Sequence, residues 1–184
     1  MKPENSLRRS SKSYHCWIAG TILIIACVLF IISHIYIRWS SFPFEYRDIG
    51  SVYSGLWRRN VLFSGRLVTF NIKCTTERKP CIKLIIARIF MIMTCITSGI
   101  GGICFCILSS FKPKYKSILY LIGLILAFVS FIFGIIGFLF GISWVIQFEK
   151  DTIGSAAICA LIGSFLSLIS AIYAFFSINS NTLT

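Results

Sequence analysis

The chain has 184 residues, 57% of them apolar and only 13% charged, with a formal net charge of +12. Soluble domains carry roughly a quarter charged residues. There is too little polar surface here to coat a water-soluble globule, which excludes an ordinary soluble domain.

Residues 1–16 are polar and basic, with Lys2, Arg8, Arg9 and Lys12 among four serines. They are expected to form a disordered cytoplasmic tail whose cations hold anionic headgroups. Arg8-Arg9-Ser10-Ser11 also offers a basic-directed phosphorylation pattern.

The first apolar run, 17–37, has His34 as its only strongly polar member. A helix needs about 20 apolar residues to cross a bilayer core, and backbone groups left unpaired in lipid force such a run to be helical. The run is too long for a cleaved signal peptide. Ile37-Arg38-Trp39-Ser40 after it does not resemble a small-residue cleavage site, so a retained signal-anchor is expected.

The loop 38–84 holds nine Lys and Arg against three acids. Within it, Leu67 to Cys74 alternates, with Val68, Phe70, Ile72 and Cys74 on one face and Thr69, Asn71 and Lys73 on the other. Period two with β-branched and aromatic residues predicts a half-buried strand. Ser64-Gly65 predicts a hairpin turn from a strand at Asn60–Phe63, and Ile49–Trp57 offers another strand. A small antiparallel sheet over the outer face of the bilayer is expected.

Three further spans follow, at 85–108, 117–146 and 153–178, with 179–184 as a cytoplasmic tail. The second has Arg88 at its edge and carries Ser98, Gly99, Gly101 and Gly102. The third carries Gly123, Gly134, Gly137 and Gly141, and the fourth carries Gly154, Ser155, Ala156, Ala157 and Gly163. Small residues at such spacing allow close helix approach, which explains them better than a pore does. No acid lies mid-membrane, where an ionisable group usually marks an ion or proton path, so a transporter is not expected.

Four spans put both termini on one side. The short basic segments, the N-terminal tail and Lys112, Lys114 and Lys116 between spans two and three, govern insertion. They place the termini in the cytoplasm and the 38–84 loop outside.

Six of the eight cysteines, Cys16, Cys27, Cys95, Cys104, Cys106 and Cys159, lie within or at the edge of spans and read as packing residues. Cys16, beside the cytoplasmic interface, is also placed for palmitoylation. Cys74 and Cys81 alone sit in a polar loop, which reads as a disulfide if that loop is extracellular. A zinc site would want four ligands, and no loop histidine or further cysteine supplies them.

No phosphate-binding glycine loop, nucleophile elbow or zinc motif occurs. The two histidines, His15 and His34, are too few for a metal cluster, and His34 reads as an interfacial packing residue. No catalytic residue, cofactor, metal or nucleic acid partner is expected. The partners expected are the lipid bilayer and either further copies of the chain or another membrane protein.

Trp39 just after span one, Gly55-Leu56-Trp57 and a downstream cysteine, together with Ala87-Arg88-Ile89-Phe90-Met91-Ile92 and Ile142-Ser143-Trp144, carry a resemblance. Over residues 17–178 the chain resembles the claudin superfamily, which includes the peripheral myelin protein, the epithelial membrane proteins and the calcium-channel gamma subunits. The implied fold is an all-α membrane protein, a four-transmembrane-helix bundle with a small antiparallel β-sheet in the first extracellular loop. The family's first loop cysteine falls at Asn60 here, and Cys74 matches the second, with Cys81 as a substitute partner.

The resemblance makes Trp39, Gly55, Leu56, Trp57 and Arg88 the family signature. It makes Trp39 and Trp57 interfacial anchors that seat the sheet, and it projects Arg58, Arg59, Arg66 and Lys73 toward a partner. The implied function is a plasma-membrane protein organising cell-surface or cell–cell contacts through its first extracellular loop. The gamma-like wording Tyr53-Ser54-Gly55-Leu56-Trp57-Arg58 implies an alternative, an accessory subunit that alters the trafficking or gating of a channel or receptor.

Overall fold

The computed structural model describes residues 4–43, 49–63, 66–72, 79–110, 116–145 and 152–179. Among them are four helices, α1 (Glu4–Ile35), α2 (Lys79–Ser110), α3 (Lys116–Val145) and α4 (Ser155–Asn179). Five strands accompany them: β1 (Ser40–Pro43), β2 (Ile49–Ser54), β3 (Arg58–Phe63), β4 (Arg66–Asn71) and β5 (Thr152–Ile153).

Each helix contains a segment long and apolar enough to cross a membrane: Tyr14–Ile35, Cys81–Ser110, Lys116–Val145 and Ser155–Ser177. The chain is a four-span membrane protein.

Several boundaries differ from the sequence expectation, each for a local reason. The basic segment expected to be disordered is helical from Glu4. Pro3 stands just before that helix and no glycine or proline interrupts it until Gly20. A helix already nucleated by its apolar span extends at little cost. At the other end of α1, Tyr36 N still donates to Ile32 O at 2.8 Å, after which the chain turns away before Ile37. Helix α2 begins at Lys79 rather than 85, with Pro80 tolerated in its first turn, where no backbone donor is needed.

The helices form a ring in which α1 packs on α2 and α4, and α3 also packs on α2 and α4. In lipid, apolar burial does not drive helices together, so close packing and hydrogen bonds must do it. One face of α3 shows how. Gly123, Ala127, Ser130, Gly134, Gly137 and Gly141 are all buried, alternating four and three residues apart, which keeps one seam toward the neighbours.

Large side chains from other helices fill the hollows along that seam. Phe105 lies over Gly123, Met91 over Gly137, Phe30 and Ser164 over Gly134, and Trp39 over Gly141. Polar side chains add bonds between and within helices: Ser130 and Ser167 meet at 3.3 Å, and Ser170 Oγ donates to Ala19 O at 2.8 Å. At the end of the bundle away from the sheet, His15 Nδ1 and Tyr173 OH share a 2.6 Å bond, and Tyr120 OH donates to Ala174 O.

The strands make one antiparallel sheet in the order β4-β3-β2-β1-β5. Pairing of Phe63 with Arg66 and Arg58 with Asn71 makes β3 and β4 a hairpin; the expected turn Ser64-Gly65 lies outside the described residues. Two strands were not anticipated. β1 pairs Ser40 with Ile153 and Ser41 with Thr152, so Ile153, expected inside span four, belongs to the sheet instead.

The expected half-buried strand 67–74 is corrected. All six residues of β4 are exposed on both faces. β4 is the edge of the sheet and pairs only with β3; alternation records the pleat but not whether anything covers it. Only Ile72, just beyond the strand, packs on the core. Lys73 and Cys74 lie outside the described residues.

Candidate functional site

The sheet is joined to the bundle at one end through the segment Ser54–Arg58, and the joint is built from few contacts. After β2 the chain turns sharply, and Gly55 N donates to Arg58 O at 2.8 Å. A Cβ on Gly55 would come within 2.8 Å of Ile37 Cα. That neighbour is backbone and cannot swing aside, so the crossing requires glycine.

Next to it, Leu56 is fully buried in the core cluster with Leu84, Ala87 and Met91 of α2 and Trp39. This plugs the turn into the bundle. Trp57 faces the other way and is 42% exposed.

Arg88, one turn inward from Leu84, fastens the turn from the helix side. Its Nε donates to Leu56 O at 2.8 Å and its Nη2 to Ile72 O at 3.4 Å. Its guanidinium lies 4.4 Å from the Trp57 ring centroid, a cation–π contact. One planar cation therefore binds the β2–β3 turn and the end of β4 to α2. Trp57 O in turn accepts from Ile72 N at 2.9 Å.

At the indole N–H of Trp57 stands His34, in the last turn of α1. Its Nε2 accepts the Trp57 indole N–H at 3.0 Å, and the two rings meet edge on.

Trp39 holds the base of the sheet. It is fully buried, its Nε1 donates to Ser33 O at 2.7 Å, and its ring rests on Gly141 of α3. Trp39, expected as an anchor that seats the sheet, has its ring covered by protein. The ring is enclosed by α1, α3 and the sheet, and its one polar atom is satisfied by protein.

Trp39 N donates to Ser54 O at 2.9 Å and Trp39 O accepts from Gly154 N at 2.8 Å, so this residue links β2 to the start of α4. Gly154 is obligatory for the same reason as Gly55, since a Cβ there would collide with the Arg38 carbonyl.

The five signature residues Trp39, Gly55, Leu56, Trp57 and Arg88 thus converge on one joint, although nearly fifty residues separate the first from the last. The basic residues expected to face a partner divide. Arg58 and Arg66 are exposed. Arg59 is half-buried, and its Nε donates to Ser54 Oγ at 2.9 Å, which turns it back onto β2. Asn60 sits in β3 opposite Tyr53, with its Oδ1 buried.

Cys16, Cys27, Cys95, Cys104, Cys106 and Cys159 are outside any disulfide; Cys81 is not among them, and Cys74 lies outside the described residues.

Sequence reading missed two participants. His34 was taken as packing, though a lone imidazole four residues before a span-ending arginine was the available signal. Arg38, whose guanidinium lies 5.0 Å from the Tyr53 ring centroid and whose carbonyl accepts from Ala156 N, was counted only as loop charge. No protein-family model and no curated protein matches the chain.

Proposed function

We propose that this chain is a divergent claudin-like protein of the plasma membrane, with both termini cytoplasmic. It would present its sheet outside the cell to organise contacts with neighbouring membrane proteins. The observation that carries the reading is the β4 edge. Leu67, Val68 and Phe70 are 58%, 41% and 54% exposed on a strand with one side unpaired. An exposed apolar strand edge is ordinarily blunted in a free-standing protein because it invites pairing, and here it is held rigidly away from the bundle by the Arg88 joint.

The partner that fits best is a second copy. Two β4 strands meeting antiparallel about a two-fold axis at Thr69 would set Val68 across from Phe70 on one face and Leu67 across from Asn71 on the other. Apolar pairs then face each other and no like charges are directly opposed. The reading includes a Cys74–Cys81 disulfide in the outer loop, in keeping with Cys81 not being a free thiol. The protein acts by binding and has no catalytic role.

Expression in fibroblasts that lack junctions tests this. The wild type is expected to concentrate where two expressing cells touch, and Phe70→Asp to spread over the whole surface. Even distribution of the wild type would contradict the proposal, and recovery of one larger membrane protein in mild detergent would instead support the accessory-subunit role.

A further inference from the structure

His34 makes the sheet joint chemically unlike an inert hinge. A ring nitrogen that accepts a hydrogen bond carries no proton. Since Nε2 takes the Trp57 N–H, the imidazole in this arrangement is neutral with its hydrogen on Nδ1. Nδ1 is buried and has no hydrogen-bond partner. The bond to Trp57 itself lies at an exposed position.

Among the described residues, the charged groups near the ring come from α2 and the β2–β3 region. From α2, Arg88 brings a cation over the same indole ring. In the β2–β3 region, Arg58 is exposed and Arg59 is engaged by Ser54. Among the described residues no carboxylate lies against the imidazole; Glu45, Asp48, Glu77, Glu149 and Asp151 lie outside them.

We propose that this joint is a proton-sensitive clasp, in which protonation of His34 breaks its bond to Trp57 and loosens the sheet from the bundle. In an imidazolium both nitrogens are donors, so Nε2–H and the indole N–H oppose each other across the former bond. Turning the ring over gives no relief, because Nδ1 also carries a proton. A second cation then stands beside the ring that Arg88 already stacks on. Trp57 must move, and Ile72, tied to the Trp57 carbonyl at 2.9 Å, moves with it. Histidine changes charge between about pH 5 and pH 8, so the sheet is clasped at the neutral cell surface and released in acidic compartments. The clasp operates whatever partner the sheet meets.

The test is hydrogen exchange on the full chain in zwitterionic lipid discs, corrected for the intrinsic pH dependence of exchange. In the wild type, exchange over 55–72 is expected to rise about fivefold between about pH 7.5 and about pH 5.5, the size of losing one hydrogen bond. The rise should reverse on neutralisation and leave the span segments unchanged. His34→Gln, which keeps an acceptor but cannot titrate, should show no rise. A flat wild type, or an equal rise in His34→Gln, overturns the proposal.

The difference in tryptophan fluorescence between the wild type and Trp57→Phe gives a second readout that does not depend on recovering the His34 variant. It should change over the same pH interval, and a pH-independent difference also overturns the proposal.

Discussion

Arg88 reaches from α2 to lie 4.4 Å from the Trp57 ring centroid while its Nε donates to the carbonyl of the preceding residue, Leu56. Both contacts require a planar guanidinium. Arg88→Lys keeps the charge but loses the fork and the stacking. It is expected to destabilise the protein by about 1–3 kcal/mol, the range for hydrogen bonds to a charged group. Thermal unfolding in detergent checks the magnitude, and faster exchange of the Ile72 amide in the variant checks the location.

Two glycines make opposite predictions. A Cβ at Gly154 would collide with the Arg38 carbonyl, which is fixed backbone, whereas one at Gly99 would meet Cys27 Sγ at an ordinary 3.5 Å. Gly154→Ala is expected to cost at least ~2 kcal/mol through displaced backbone. Gly99→Ala is expected to be neutral or stabilising by up to about 1 kcal/mol, since alanine is the better helix former. Paired unfolding midpoints of the two variants decide it, and equal effects would show that the packing is not as described.

Inside the bundle, Ser170 Oγ donates to Ala19 O across α4 and α1. Hydrogen bonds between membrane helices average about 0.6 kcal/mol, so Ser170→Ala should lower stability by roughly that much without changing the sheet. Unfolding by sodium dodecyl sulfate titration measures it. A loss of several kcal/mol would mean that this contact carries far more of the α1–α4 association than its single bond suggests.

How much of this was legible in the sequence depends on what each residue's neighbours had to supply. The spans were legible because lipid imposes a length on any apolar run, and the hairpin 58–71 because the period-two pattern and a turn sit side by side. Convergence of Trp39, Gly55–Trp57 and Arg88 was suggested only by resemblance, and the geometry of Arg88 could not be read from its position at a span edge.

The full burial of Trp39 was not legible, because it arises from Gly141, about a hundred residues away, and from Leu56 and Leu84. The exposure of β4 was invisible for the converse reason: Val68 and Phe70 alternate as covered residues do, and whether a cover exists is a tertiary fact.

The central claim is that the β4 edge stands outside the cell and meets another copy of the chain. Thr69 is exposed in the middle of that strand, and the cysteines Cys16, Cys27, Cys95, Cys104, Cys106 and Cys159 all lie in helices. Intact cells expressing Thr69→Cys should therefore be treated with a short, membrane-impermeant bismaleimide and the protein resolved under reducing conditions. A crosslinked dimer of the chain is expected, absent when Thr69 is unaltered. A Thr69→Cys thiol that reacts only after permeabilisation, or one that reacts on intact cells without yielding a dimer, would contradict it.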